Sequence, residues 1–105
     1  MKLIKYKHHT LVTIYSVNDF NDLINQLNSG FLKNTSVIIN FLQCNIVDDM
    51  IVDKLLPFHF IWQKRNNSFI LVSNISRKIN KEIVSLPTLE EALDYFHMEQ
   101  LTKNI

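Results

Sequence analysis

Glycine is nearly missing: Gly30 is the only one in 105 residues. A phosphate-cradling loop or a dinucleotide fingerprint needs several glycines so that the backbone can approach phosphate closely. This sequence can build neither. Cysteine is equally scarce. Cys44 stands alone, so it has no partner for an intramolecular disulfide, and a reducing compartment is expected. Long apolar runs are absent too. The longest reach only a few residues, against the roughly 20 needed to span a bilayer. The basic opening "MKLIKYKHH" lacks the apolar core of a secretory leader. The expected location is the cytoplasm, with no membrane partner. Net charge is small as well, +1, so no global field draws in nucleic acid or anionic lipid.

What is present suits a globular core. Hydrophobic residues make up 47% of the chain and charged residues 20%, an ordinary balance for a packed protein. The length predicts a single domain over residues 1–105. "KLIKY" and "TLVTIY" read as two short strands around the polar "KHH", paired as an antiparallel hairpin. Ser16 fits a helix N-cap, with Asp19 three residues on and a Tyr15–Phe20 staple across the start. Phe20, Leu23, Ile24 and Leu27 form one helical stripe, and Gly30 suits the left-handed position that ends it. "SVIINFL" is apolar on both faces, as a buried central strand is. Residues 48–65 read as helix with Ile51, Leu55, Phe58 and Trp62 on one face. Pro57 leaves that helix either kinked or split in two. "FILV" and "IVSL" read as two further core strands, separated by a polar loop with a short helical turn. "PTLEEALDYFHMEQL" closes the chain as a helix with a Thr88/Glu91 capping box. Strands alternating with helices after a hairpin predict an α/β fold with a partly parallel sheet.

The chemistry-bearing residues are weighed in turn. Asp48 and Asp49 are adjacent carboxylates. Residues one apart on a helix diverge by about 100°, so the pair cannot converge on one substrate atom as acid–base catalysis requires. Capping by Asp48, with Asp49 at the positive end of the helix, accounts for both. His8 and His9 on a regular strand point to opposite faces. His59 and His97 read as surface or boundary residues, and no H-x-x-x-H or C-x-x-C spacing exists. No metal, cofactor or catalytic residue is therefore assigned. Cys44 reads as a small packing residue at a strand end. Lys2, Lys5 and Lys7 make the hairpin basic, and Arg77, Lys78 and Lys81 form a second cluster. Together on one face they would suit RNA; a charged edge strand that resists aggregation explains the first cluster and is favoured. Phe60 falls opposite the apolar helix face with Leu56 near it. That pair is either a partner surface or, if Pro57 breaks the helix, is rotated inward.

The order of elements resembles the STAS domain, the fold of bacterial anti-sigma factor antagonists. The local likeness centres on "IINFLQCNIVDDMIVDKL". In that family a strand ends in an acidic D-L-S-type segment, and D-S-S-G with a phosphorylatable serine opens the next helix. Laid ungapped, Asn40 takes the strand's acidic position, Asp48 the motif's aspartate, and Asp49, Met50 and Ile51 the S-S-G. No hydroxyl stands at the phosphorylation position and the glycine is gone, so phosphorylation control is not carried over. The resemblance implies that Asp49 supplies a fixed negative charge where the family adds phosphate. "LPTLEEALDYFHMEQL" is also similar to small bacterial STAS-like proteins whose chains end in P-T-L-x-E-A followed by M-E, some labelled ribonuclease Z. That activity needs an H-x-H-x-D-H cluster for two zinc ions, and none is present.

The expectation is an α/β, STAS-like single domain. It has a mixed sheet of about four to five strands flanked by helices and opened by a hairpin. The function expected is non-catalytic binding of another protein through Asn45, Asp48, Asp49, Met50, Leu56 and Phe60. The alternatives are an accessory protein to RNA processing, binding RNA or a ribonuclease, and, more remotely, a small enzyme. An enzyme would need a pocket of convergent polar groups, and the sequence offers no candidate set.

Overall fold

A computed structural model describes residues 1–44, 46–74 and 82–103 of the chain. The elements run β1 (Lys2–Lys5), β2 (His9–Thr13), α1 (Val17–Ser29), β3 (Ser36–Asn40), α2 (Asp49–Lys64), β4 (Phe69–Val72), β5 (Val84–Leu86) and α3 (Leu89–Lys103). The five strands form one mixed sheet in sequence order, β1-β2-β3-β4-β5. The β1–β2 pair is antiparallel, with Leu3 opposite Val12; every other pair is parallel. The fold is α/β with an N-terminal hairpin, as the sequence predicts.

Two crossovers stepping the same way across a sheet put their helices on the same face, because each is right-handed. The packing follows this rule. Val37, Ile39, Phe69 and Leu71 join Phe20, Leu23 and Leu27 of α1 and Val52, Leu55 and Trp62 of α2 in one buried cluster. The alternate residues Ile38, Ile70 and Val72 face the other way and bury Ala92 and Phe96 of α3. Both faces of β3 and β4 are therefore covered, which is why "SVIIN" and "FILV" are apolar throughout.

The helix ends are built as their sequences dictate. Ser16 Oγ accepts from the Asp19 amide at 3.2 Å. The return bond lands one residue earlier than in a standard capping box: Asp19 accepts from the Tyr15 amide at 2.9 Å and pairs with the Met1 ammonium at 2.8 Å. Phe20 is buried, its ring 6.3 Å from that of Phe41, whereas Tyr15 is exposed. At the other end Gly30 takes φ 80°. Its amide donates to Leu27 and the Phe31 amide to Gln26, the paired bonds of a Schellman motif. Thr88 Oγ1 caps α3 by accepting from the Glu91 amide at 3.1 Å.

Two expectations change. "IVSL" was expected as a core strand, but β5 lies at the sheet edge: Ser85 is exposed and Val84 and Leu86 are half-buried. Only Ile83, just before it, is fully inside. Pro57 does not split its helix. α2 runs unbroken from Asp49 to Lys64. The proline side chain is exposed and so is Asp53, whose carbonyl loses its donor to the ring. The lost bond faces solvent, where it costs least.

At the opposite edge β1 presents Lys2 and Lys5 outward. Charge on an exposed edge blocks pairing with another chain, in keeping with the reading favoured for these lysines.

Candidate functional site

The candidate site begins where β3 leaves the sheet. Asn40 is buried, and its Oδ1 accepts from the Leu42 amide at 2.9 Å, which turns the chain. The Phe41 amide still donates to Val72 of β4 at 2.8 Å. Phe41 and Val47 are buried in the α1/α2 core, and Cys44 and Ile46 pack half-buried against it. The loop is therefore anchored by apolar side chains at both ends. Cys44 is a packing residue, as expected. Asn45 lies outside the described residues.

Asp48 and Asp49 are exposed. The Asp48 backbone is extended (φ −143°, ψ −173°), and its Oδ1 accepts from the Ile51 amide at 2.9 Å. This is N-cap geometry. Asp49 is the first helical residue and lies in the acidic first turn. The carboxylates hold the two roles that helix geometry predicts. Replacing Asp48 with alanine should cost about 0.5–2 kcal/mol of stability, and Asp49→Ala no more than about 1 kcal/mol. Urea midpoints measure both; a larger loss for Asp49→Ala than for Asp48→Ala would contradict the capping assignment.

Met50 follows with 67% of its surface exposed. Two to three turns on, Phe60 is 41% and Ile61 42% exposed. Pro57 lies on the same solvent side of α2. Leu56, expected beside Phe60 on the outer face, is instead half-buried and packed against the core. The buried stripe is Val52, Leu55 and Trp62, with Ile51 and Phe58 half-buried at its margin. That stripe is wide enough to draw in Leu56 but leaves Phe60 outside. Ile61 was not singled out in the sequence; its position eleven residues after Met50 puts the two on nearly one line along the helix.

The other sequence candidates are spread over the fold. Lys2, Lys5 and Lys7 are exposed at and beyond β1. Lys5 Nζ sits 4.7 Å from the centre of the Phe31 ring. Arg77, Lys78 and Lys81 lie outside the described residues. Among the described residues no group of three or more His, Cys, Asp or Glu is placed to hold a metal ion, and no helix is long and apolar enough to cross a membrane.

The histidines depart most from expectation. His8 is in the β1–β2 turn, not on a strand, so alternation does not apply to it, and it shares a cleft with His9 and His97. His9 is stacked on Tyr6, ring centroids 4.7 Å apart and planes 16° apart, and lies 4.9 Å from Phe96. Burial chiefly, then the charges of His97 and His8, holds its imidazole below the usual range. His59 is also lowered, by burial first, against the attraction of Glu82 and Glu99 and a hydrogen bond with the Phe69 backbone. Both groups bind a proton less readily folded than unfolded. Their stabilisation is complete above the unfolded value of 6.5 and declines as pH falls from there toward each folded pKa. The melting temperature should therefore drop between about pH 7.5 and about pH 5.5. The drop should shrink in His9→Gln; a flat or rising profile in the wild type would contradict it.

No protein-family model and no curated protein sequence matches the chain.

Proposed function

We propose that this protein is a non-catalytic interaction module that presents the solvent face of α2 to another protein. Asp48 and Asp49 open that face, Met50 begins its apolar part, and Phe60 and Ile61 continue it. The observation that carries the reading is that Met50 at the start of the helix and Phe60 and Ile61 near its end, with Asp53, Lys54 and Pro57 exposed between them, stay in solvent while the opposite side is committed to the core. Pro57 supports it. An interior proline costs a helix about 3 kcal/mol, and here its exposed ring offsets none of that through burial in the core. Local departures of this kind concentrate where a surface serves something other than stability.

The reading keeps the likeness to anti-sigma factor antagonists, in which the same strand-to-helix junction carries the phosphorylated serine. Here Asp49 stands in that region as a permanent carboxylate, and binding is constitutive. Leu56 contributes by supporting α2 from within, not by touching the partner.

The test is co-purification from the native cell with the wild type, Met50→Asp and Phe60→Asp. All three should fold alike, because surface changes stay within about 0.5 kcal/mol. A partner retained by the wild type and lost from both variants is the expected result. A partner held equally by all three would overturn the reading, and one insensitive to Asp49→Ser would overturn the role given to the fixed charge.

A further inference from the structure

The second feature lies at the other end of the sheet. The parallel strands begin there, the β1–β2 turn crosses it, and the last turns of α3 return to it. The turn and α3 enclose a cleft of about 630 Å³, within the range of small-molecule sites. Tyr6, Lys7, His8, His9, Phe96 and His97 line it. Its wall is aromatic: Tyr6 stacks on His9, and His9 meets Phe96. Tyr6 is nevertheless 52% exposed, so much of its surface is free to contact a guest.

The charge is one-sided. Among the described residues, every ionisable base lining the cleft (Lys7, His8, His9 and His97) can carry only positive charge, and no carboxylate lines it. Tyr6 adds a neutral phenol. A neighbouring cleft of about 430 Å³ shares Tyr6, Lys7 and His8, adds Lys5, and among the described residues is again lined by no carboxylate. The acid nearest in sequence on α3, Glu99, instead lines a separate hollow with Tyr95 and Met98. In a chain with net charge +1, this segregation is local to the cleft.

We propose that this cleft binds a small aromatic anion, its flat ring held against Tyr6 and Phe96 and its acidic group by Lys7, His8 and His97. Aromatic side chains favour an offset or edge-on aromatic guest, and the Lys7 ammonium with the imidazole N–H donors favours one carrying negative charge. A carboxylate and a phosphate share that chemistry. The site is separate from the α2 surface and does not depend on it.

The experiment is an NMR titration of the protein with indole-3-acetate and phenyl phosphate, beside neutral indole and acetate, each to roughly 10 mM. At least one aromatic anion should shift the amides of residues 6–9 and 96–101, and bind about tenfold more tightly than indole or acetate. Whichever anion binds better identifies the acidic group. Tyr6→Ala should weaken binding about three- to tenfold, and Lys7→Glu should weaken it further. Both side chains are exposed, so the variants should fold. Met50→Asp, at the far end of the sheet, should bind as the wild type does. No shift with either anion, shifts centred elsewhere, indole binding as well as its acid, or unchanged affinity in both Tyr6→Ala and Lys7→Glu would each overturn the proposal.

Discussion

Replacing Trp62 with alanine should destabilise the protein by about 3–5 kcal/mol, the range for deleting a large aromatic side chain from a core. Trp62 is the only tryptophan and is 1% exposed. It joins three parts of the molecule. Its ring meets Phe69 of β4 edge-on at 5.7 Å. Its Nε1 donates to the Thr35 carbonyl at 2.9 Å, just ahead of β3. Its own helix carries Val52 and Leu55 into the same cluster. Alanine would leave a cavity between α2 and the sheet and remove the donor from Thr35. Against a total stability of roughly 5–15 kcal/mol, that loss takes a large share. Trp62→Phe keeps most of the volume and loses the hydrogen bond, so it should cost roughly 1–2 kcal/mol. Urea unfolding followed by circular dichroism gives both values. A loss below about 1.5 kcal/mol for Trp62→Ala would mean that the site collapses around the deletion.

Pro57→Ala should act in the opposite direction. Alanine restores an amide donor to the Asp53 carbonyl and removes the ring clash, together worth about 3 kcal/mol in a helix interior. The unfolded chain regains freedom when proline is lost, which offsets about 0.4–1 kcal/mol. No buried contact is sacrificed, because the proline side chain is exposed. A net gain of about 2–2.5 kcal/mol is expected, read as a higher urea midpoint with an unchanged slope. Destabilisation would show that the local geometry imposed by Pro57 is needed by the core side of α2.

The parts of the fold legible in the sequence are those set by neighbours along the chain. Ser16, Asp48 and Thr88 cap their helices through amides three residues on, and Gly30 supplies the positive φ that ends α1. "SVIIN" and "FILV" announce burial on both faces. The order of strands is a different matter. Three residues, Val84, Ser85 and Leu86, cannot signal edge or centre by pattern alone, and β5 becomes an edge because the sheet ends there. Leu56 was drawn inward for a similar reason. The width of a buried helix stripe depends on what packs against it, and α2 faces both the sheet and the anchored 41–47 loop.

The candidate surfaces divide along the same line. Asp48, Asp49 and Met50 follow one another at a helix start, so their exposure can be read locally. The aromatic and basic cleft cannot. Tyr6, Lys7, His8 and His9 come from the hairpin and Phe96 and His97 from α3, nearly ninety positions later. Only the return of α3 across the second face of the sheet brings them together. The closest signal in the sequence was the basic and aromatic "KYKHH" itself, which reads equally well as an edge-strand guard.

The solvent face of α2 is the contact surface proposed here. Hydrogen–deuterium exchange and side-chain footprinting of the protein, free and bound to its co-purified partner, test it most directly. Protection from labelling is expected across residues 48–61, strongest at Met50, Phe60 and Ile61, with β1 and α3 unchanged. Protection confined to the β1–β2 turn and the end of α3, with α2 labelled equally in both states, would contradict it.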